Sequence, residues 1–239
     1  MKRIQPHIRC GEGDIGEFVL LCGDPGRVDR IAERLSDVRE VGRYRGFRVI
    51  TGWRGGRRIS AASTGIGSPS AALVCEELAN IGARVFIRVG TTGALQPHVE
   101  IGDLIIPFAA VRAEGTTRNY IPLEFPAVAS PEVFQALVEA AQELKVRFHA
   151  GVVVTSDTFY LPPKDEYRNC ALSVEMECAA VFILGSLRGI KAGAILAVDS
   201  SLPRNIPKEE LAPEVQEAIG REIEIALKAL DILSRGAGI

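Results

Sequence analysis

Three glycine-rich turns carrying arginine or hydroxyl side chains stand at the ends of apolar runs in this chain of 239 residues. Phe18–Cys22 leads into Gly23-Asp24-Pro25-Gly26-Arg27, Ile59–Ala62 into Ser63-Thr64-Gly65-Ile66-Gly67, and Val85–Ile87 into Arg88-Val89-Gly90-Thr91-Thr92-Gly93. Glycine lets backbone N–H groups approach an oxyanion, threonine adds hydroxyl donors, and arginine offers a planar fork that matches phosphate. Together they describe an anion cradle with phosphate as the obvious guest. Arg88 is the most telling member. Set between Ile87 and Val89, it is costly to bury unless it meets a fixed anion, which could be a ligand or a core carboxylate such as Asp103 or Glu177. Glu175 and Glu177 precede the apolar run Cys178–Leu184, where an acid complements the dipole of a buried helix.

The elements that must position these residues alternate between strand and helix. Runs that are apolar throughout belong to strands covered on both faces, and in open α/β sheets ligands bind beyond the carboxyl ends of the strands. Ser68-Pro69 reads as the N-cap and first turn of a helix whose apolar positions run from Ala71 to Leu78, before Asn80 and Gly82 stop it. The strand Val85–Val89 follows at once, which argues for parallel pairing through a right-handed crossover. Further strands are expected up to Pro107, over Val152–Val154 and over Ala194–Val198. Glu177 to Leu187 reads as a buried helix, and Glu214 to Ser234, with Ile219, Ile223, Leu227 and Leu230, as a surface helix lying on the sheet. The expectation is a single α/β domain over residues 1–239, with a mostly parallel twisted central sheet flanked by helices.

Composition narrows the function classes. A hydrophobic content of 47% suits one domain with a large core, and a formal charge of −2 gives no support for nucleic-acid binding. No apolar segment approaches the ~20 residues of a membrane span, and the polar start Met1 to His7 lacks the apolar stretch of a signal peptide, so a cytoplasmic protein with no membrane partner is expected. Cys10, Cys22, Cys75, Cys170 and Cys178 show no CxxC spacing, and His7, His98 and His149 no zinc spacing. No metal site is expected.

The chain resembles the nucleoside phosphorylases of the uridine phosphorylase and hexameric purine nucleoside phosphorylase group. The resemblance is carried by GDPGR at 23–27, STGIG at 63–67, RVGTTGALQPH at 88–98, PLEFPAVA at 122–129, SDTFY at 156–160 and VEMECAA at 174–180. The third and fourth point to the uridine branch. It implies that Gly23, Arg27, Arg88 and Thr91 bind phosphate together with Arg45 donated across a dimer interface, although Arg43 and Arg48 are rivals for that place. It implies that Glu177 accepts the ribose hydroxyls, that Met176 packs on the sugar, and that His7 reaches a neighbouring subunit's site. The assembly implied is a homo-oligomer with dimer-built active sites, a hexamer. No cofactor is implied beyond inorganic phosphate as co-substrate.

The base side departs from both branches. Phe159 matches the aromatic that stacks on the base, and Ile66 and Thr92 match its walls, with Glu175 beside them. Uridine phosphorylases continue with a Gln-x-Arg pair in a longer loop, whereas here Tyr160 to Arg168 has no glutamine and leaves Lys164 and Arg168 as donors for a pyrimidine oxygen. Purine phosphorylases end their last strand with Ser-Asp. This chain has Val198-Asp199-Ser200, with the aspartate one position early, and a one-residue slip reverses side-chain direction on a strand. The expected reaction is phosphorolysis of a ribonucleoside, uridine being chosen, with Arg88 and Asp199 as candidate catalytic residues. The alternatives are a purine or methylthioadenosine phosphorylase, a nucleosidase that uses water, and a non-catalytic nucleotide- or phosphate-binding module.

Overall fold

The computed structural model of the chain describes residues 3–161, 164–201 and 212–236. Three adjacent strands form the centre: β1 (Phe18–Cys22) lies between β4 (Arg57–Ser63) and β5 (Val85–Ala94), parallel to both. Every residue of β1 is buried, as an apolar run covered on both faces requires. β2 (Ser36–Tyr44) and β3 (Phe47–Arg54) form an antiparallel hairpin that extends this side of the sheet, turning at Arg45-Gly46. Arg43, Arg45 and Arg48 all lie on this hairpin.

On the other side β5 pairs parallel with β10 (Lys191–Ser201), and β10 pairs antiparallel with β6 (Leu104–Ala113). β6 pairs parallel with β8 (Phe148–Ser156), β8 with the short β9 (Ser173–Glu175), and β9 returns antiparallel to β5. A two-residue strand, β7 (Ala127–Val128), adds to β6. β5, β10, β6, β8 and β9 thus form a closed ring, while β2 ends the other arm as an exposed edge strand. The α/β architecture is as expected. The long ladders at the centre of the sheet are parallel, and antiparallel pairs enter at the β2–β3–β4 hairpins and at the short contacts of β10 with β6, β9 with β5 and β7 with β6, so the sheet is mixed.

Among the described residues the helices are α1 (Pro25–Ala32), α2 (Ser68–Asn80), α3 (Pro131–Glu143), the single-turn α4 (Asp165–Arg168), α5 (Cys178–Arg188) and α6 (Pro213–Gly236). α2 begins one residue earlier than capping logic suggests. Gly67 is its N-cap, and the Ser68 hydroxyl donates instead to the Met176 carbonyl at 3.0 Å, tying α2 to the segment before α5. α5 is buried from Cys178 to Gly185, and α6 lays a long buried stripe on β10, β5 and α3. No helix of the described residues is long and apolar enough to cross a membrane.

Candidate active site

α1 begins where β1 ends because Asp24 accepts the Gly26 N–H at 2.8 Å and Pro25 presets the first turn. Arg27 therefore leaves the first turn of α1 pointing back over the sheet. Its Nη1 donates to the Val89 carbonyl at 3.1 Å, and the side chain is buried. The turn after β4 is fixed to β1 by the Thr64 N–H, which donates to the Cys22 carbonyl at 2.8 Å. Gly65 and Gly67 follow with φ of +68° and +93°, a region open to glycine at little cost.

Arg88 lies within β5 at 4% exposure. Its Nε donates to Glu175 at 3.1 Å and its Nη2 lies 2.5 Å from a Glu177 oxygen. Burial works against this charge, but Glu177 and Glu175 beside it outweigh that and hold its pKa above the usual arginine range. Of the two carboxylates foreseen as partners, Glu177 is present. Asp103 is not, being paired with His149 at 2.8 Å. Gly90, two residues on and so on the same face of β5, makes room for the guanidinium: a Cβ there would meet Arg88 Cζ at 2.7 Å.

Glu175 is fully occupied. Besides Arg88 it accepts the Thr155 hydroxyl at 2.5 Å and the N–H groups of Glu177 and Cys178 at 2.8 Å, so it serves as the acid at the N-terminus of α5. Its side chain has no exposure. Glu175 nevertheless lines the cavity beside Met176 and Glu177. Glu177, the N-cap residue, accepts the Gly67 N–H at 2.6 Å, which joins the turn after β4 to the Arg88 cluster. Burial, together with the neighbouring Glu175, raises its carboxyl pKa against the pull of Arg88.

These segments enclose a cavity of about 610 Å³ at the carboxyl ends of β1, β4 and β5. Gly23, Arg27, Arg88 and Thr91 line it together with Met176, Glu177, Ile66, Thr92 and Phe159, so the three turns converge. Thr92 donates its hydroxyl to the Val174 carbonyl at 2.9 Å, and Phe159 stands edge-on to Tyr160 with ring centroids 5.2 Å apart. Asp199 lines it too. The pairing of β10 with β5 runs Val198 to Thr92 and then Ser200 to Gly93, leaving Asp199 as a bulge residue. A bulge re-aims its side chain, and this answers the one-residue slip seen in the sequence. The Ser200 hydroxyl donates to Asp199 at 2.8 Å.

Four other candidates lie outside this lining. Lys164 and Arg168 are exposed on and beside α4, with Arg168 paired to Asp165; Pro162 and Pro163 of the same loop lie outside the described residues. Arg45, with φ +50° at the hairpin turn, is exposed with its guanidinium 5.4 Å over the Tyr44 ring. Its rivals are engaged, Arg43 with Glu40 and Arg48 with Asp29 and Glu40. His7 is held by Nδ1 against Glu77 at 2.6 Å. Two residues that the sequence reading passed over also meet the site. Thr155 sits behind Glu175, and Glu222 of α6 lies 3.6 Å from Arg27 Nε. A signal for Glu222 was present in the sequence, since an acid falls there in an apolar helical stripe.

The phosphorylase superfamily model matches residues 17–234. The chain belongs to that family. It is 46% identical to a uridine phosphorylase of Thermococcus kodakarensis over 212 residues, covering 82% of the chain and 76% of that protein. It is 38% identical to a guanosine phosphorylase of Halorubrum lacusprofundi over 239 residues, covering 96% and 99%. Among solved structures, the purine nucleoside phosphorylase of Toxoplasma gondii in complex with immucillin-H superposes with a TM-score of 0.92 at 34% identity, covering 99% and 98%.

The space above Gly90 is the weak point of the Arg88 cluster. Gly90→Ala should push the guanidinium off its carboxylates and lower unfolding free energy by about 2–4 kcal/mol in urea titration, near the cost of breaking a buried pair. An unchanged midpoint would mean that Arg88 does not need this space.

Proposed function

We propose that this phosphorylase cleaves the N-glycosidic bond of a ribonucleoside with inorganic phosphate, uridine being favoured, and releases the free base and ribose 1-phosphate. One observation carries the reading: two buried arginines, Arg27 and Arg88, line the same cavity as a carboxylate, Glu177, and an aromatic, Phe159. Phosphate sits against Gly23, Arg27, Arg88 and Thr91. Its oxygen bonds to C1′ while the C1′–N bond breaks, and its charge stabilises the oxocarbenium-like transition state. Positioning and electrostatics supply most of the acceleration. Glu177 accepts the ribose hydroxyls, Met176 packs on the sugar, and Ile66, Thr92 and Phe159 bound the base. Kinship with a uridine phosphorylase supports the substrate preference.

Phosphate dependence is the first test. Base release should require phosphate and give ribose 1-phosphate, followed by product chromatography. Equal turnover without phosphate, with free ribose as product, would reassign the chain as a nucleosidase.

Arg45 and His7 complete the site of a neighbouring subunit in this reading. The support is that both are exposed or half-exposed and absent from the lining of their own chain's cavity. Arg45→Ala and Glu177→Ala proteins, each inactive alone, should regain activity on mixing, because a hybrid dimer contains one site with neither lesion. Absence of complementation despite demonstrated subunit exchange would place Arg45 in its own chain's site.

A purine nucleoside is the second reading, favoured by Asp199 lining the cavity from the bulge. A purine leaves more readily when protonated at N7, which suits a carboxylic acid in a sheltered pocket. With uridine as the substrate, Asp199→Asn should leave turnover within about threefold. With a purine, the same change should cut turnover by the ~10²–10⁴-fold of a lost general acid. Steady-state kinetics on uridine, inosine and guanosine separate the two.

A further inference from the structure

The buried stripe of α6 is interrupted by an acid. Val215, Ile219, Ala226, Ala229 and Leu233 recur every three or four residues on its sheet-facing side, and Glu222 occupies the place between Ile219 and Ala226. Its side chain has no exposure, and neither carboxyl oxygen makes a close hydrogen bond among the described residues, the Ala197 N–H of β10 being the backbone group that acts on it. A buried polar group left in this state costs free energy, and a leucine would fill the same place better. What Glu222 does meet is Arg27, whose Nε lies 3.6 Å from its Oε1. The guanidinium is otherwise held through Nη1 by the Val89 carbonyl. These two contacts leave Nη2 for the cavity that Arg27 lines.

We propose that Glu222 is a positioning residue that holds the Arg27 guanidinium from behind, aimed at the anion end of the cavity, while leaving its charge to the bound phosphate. The inference rests on the phosphorylase reading and assigns a residue to it. Charge distribution supports the second half of the statement. Burial pushes the Glu222 carboxyl up to about 8, against the pull of Arg27, Arg88, the Ala197 N–H and Arg30. Near neutral pH most of it is therefore uncharged, and a neutral carboxyl oxygen still faces a guanidinium N–H without cancelling its charge.

The groups around it are consistent with this. α1 supplies Arg27 and Arg30, β5 supplies Arg88, and β1 supplies the Cys22 thiol, itself pushed up to about 12 by burial. From β10, Lys191 is paired with Glu132 and Asp199 is bonded to Ser200. The acids of α3, Glu132, Glu139 and Glu143, are exposed. On α6 itself Arg221 pairs with Glu217, Glu224 with Arg54, and Lys228 with Glu143. The sign follows: as pH rises through about 8, Glu222 ionises, competes with phosphate for Arg27 and repels the dianion behind it.

The experiment measures inorganic phosphate binding by calorimetry on the full chain, wild type and the variants E222Q, E222D and E222L, with kcat and both KM values alongside. E222Q, a neutral mimic of the same reach, should stay within about threefold of wild type, whereas E222L removes the acceptor and E222D withdraws it, and each should weaken phosphate binding about tenfold or more. The phosphate KM should follow, and the nucleoside KM should stay within about twofold, a split that a general loss of stability would not give. Between about pH 7 and about pH 9 wild type should lose phosphate affinity relative to E222Q, phosphate's own ionisation cancelling in the ratio. Wild-type phosphate affinity in E222D, or a constant ratio across pH, would overturn the proposal even where E222L does not fold. A wild-type protein that binds no phosphate would overturn the phosphorylase reading along with it, whereas wild-type binding with unaffected variants would overturn this inference alone.

Discussion

Arg88 carries a full positive charge into the middle of a strand, and the surrounding architecture follows from keeping it there. Two carboxylates flank it, a glycine on the same face leaves room for its head, and one of the carboxylates also caps the helix that follows. Such a cluster is stabilising only when every member is satisfied, because a buried charge that loses its partner is left without solvent. Glu175 is satisfied four times over, and Glu177 ties the cluster to the turn after β4 through the Gly67 N–H. One ion-pair network thus sets the relative positions of three distant chain segments.

The sheet adds a second constraint. β5 carries Arg88 and the threonines and pairs with β1, β9 and β10, so it is held on both sides along its length. The bulge at Asp199 is the local exception to this regularity. It turns a side chain into the cavity that an unbroken ladder would direct elsewhere, and it does so next to Thr92.

Much of the frame was legible in the sequence because its signals are local. Apolar runs ending in glycine turns marked β1, β4 and β5, and Ser68-Pro69 marked α2 to within one residue. The convergence of the turns followed from a general property of parallel strands. The closure of the sheet was not legible, since the pairings of β10 with β6 and of β9 with β5 join residues far apart in sequence. That an acid meets the N-terminus of α5 was legible in Val-Glu-Met-Glu, but the sequence does not say that both acids also pair with Arg88, since that contact joins residues far apart in the chain. Lys164 and Arg168 had the right chemistry near the right loop. A single helical turn directs them outward, and spacing alone cannot foresee that.

The arginine end of the cavity and the end bounded by Phe159 and Asp199 rest on different kinds of structure. Arg27, Arg88 and Glu177 are locked by the central sheet, by buried ion pairs and by a helix cap. Phe159 lies beyond the last residue of β8, and Asp199 sits on a bulge near the end of β10. Changes in that loop or at that bulge leave the ion-pair network untouched. Under the proposed function, this division lets base preference change while the sugar and phosphate contacts stay fixed. It gives a physical reason why relatives named for uridine and for guanosine share one framework with this chain.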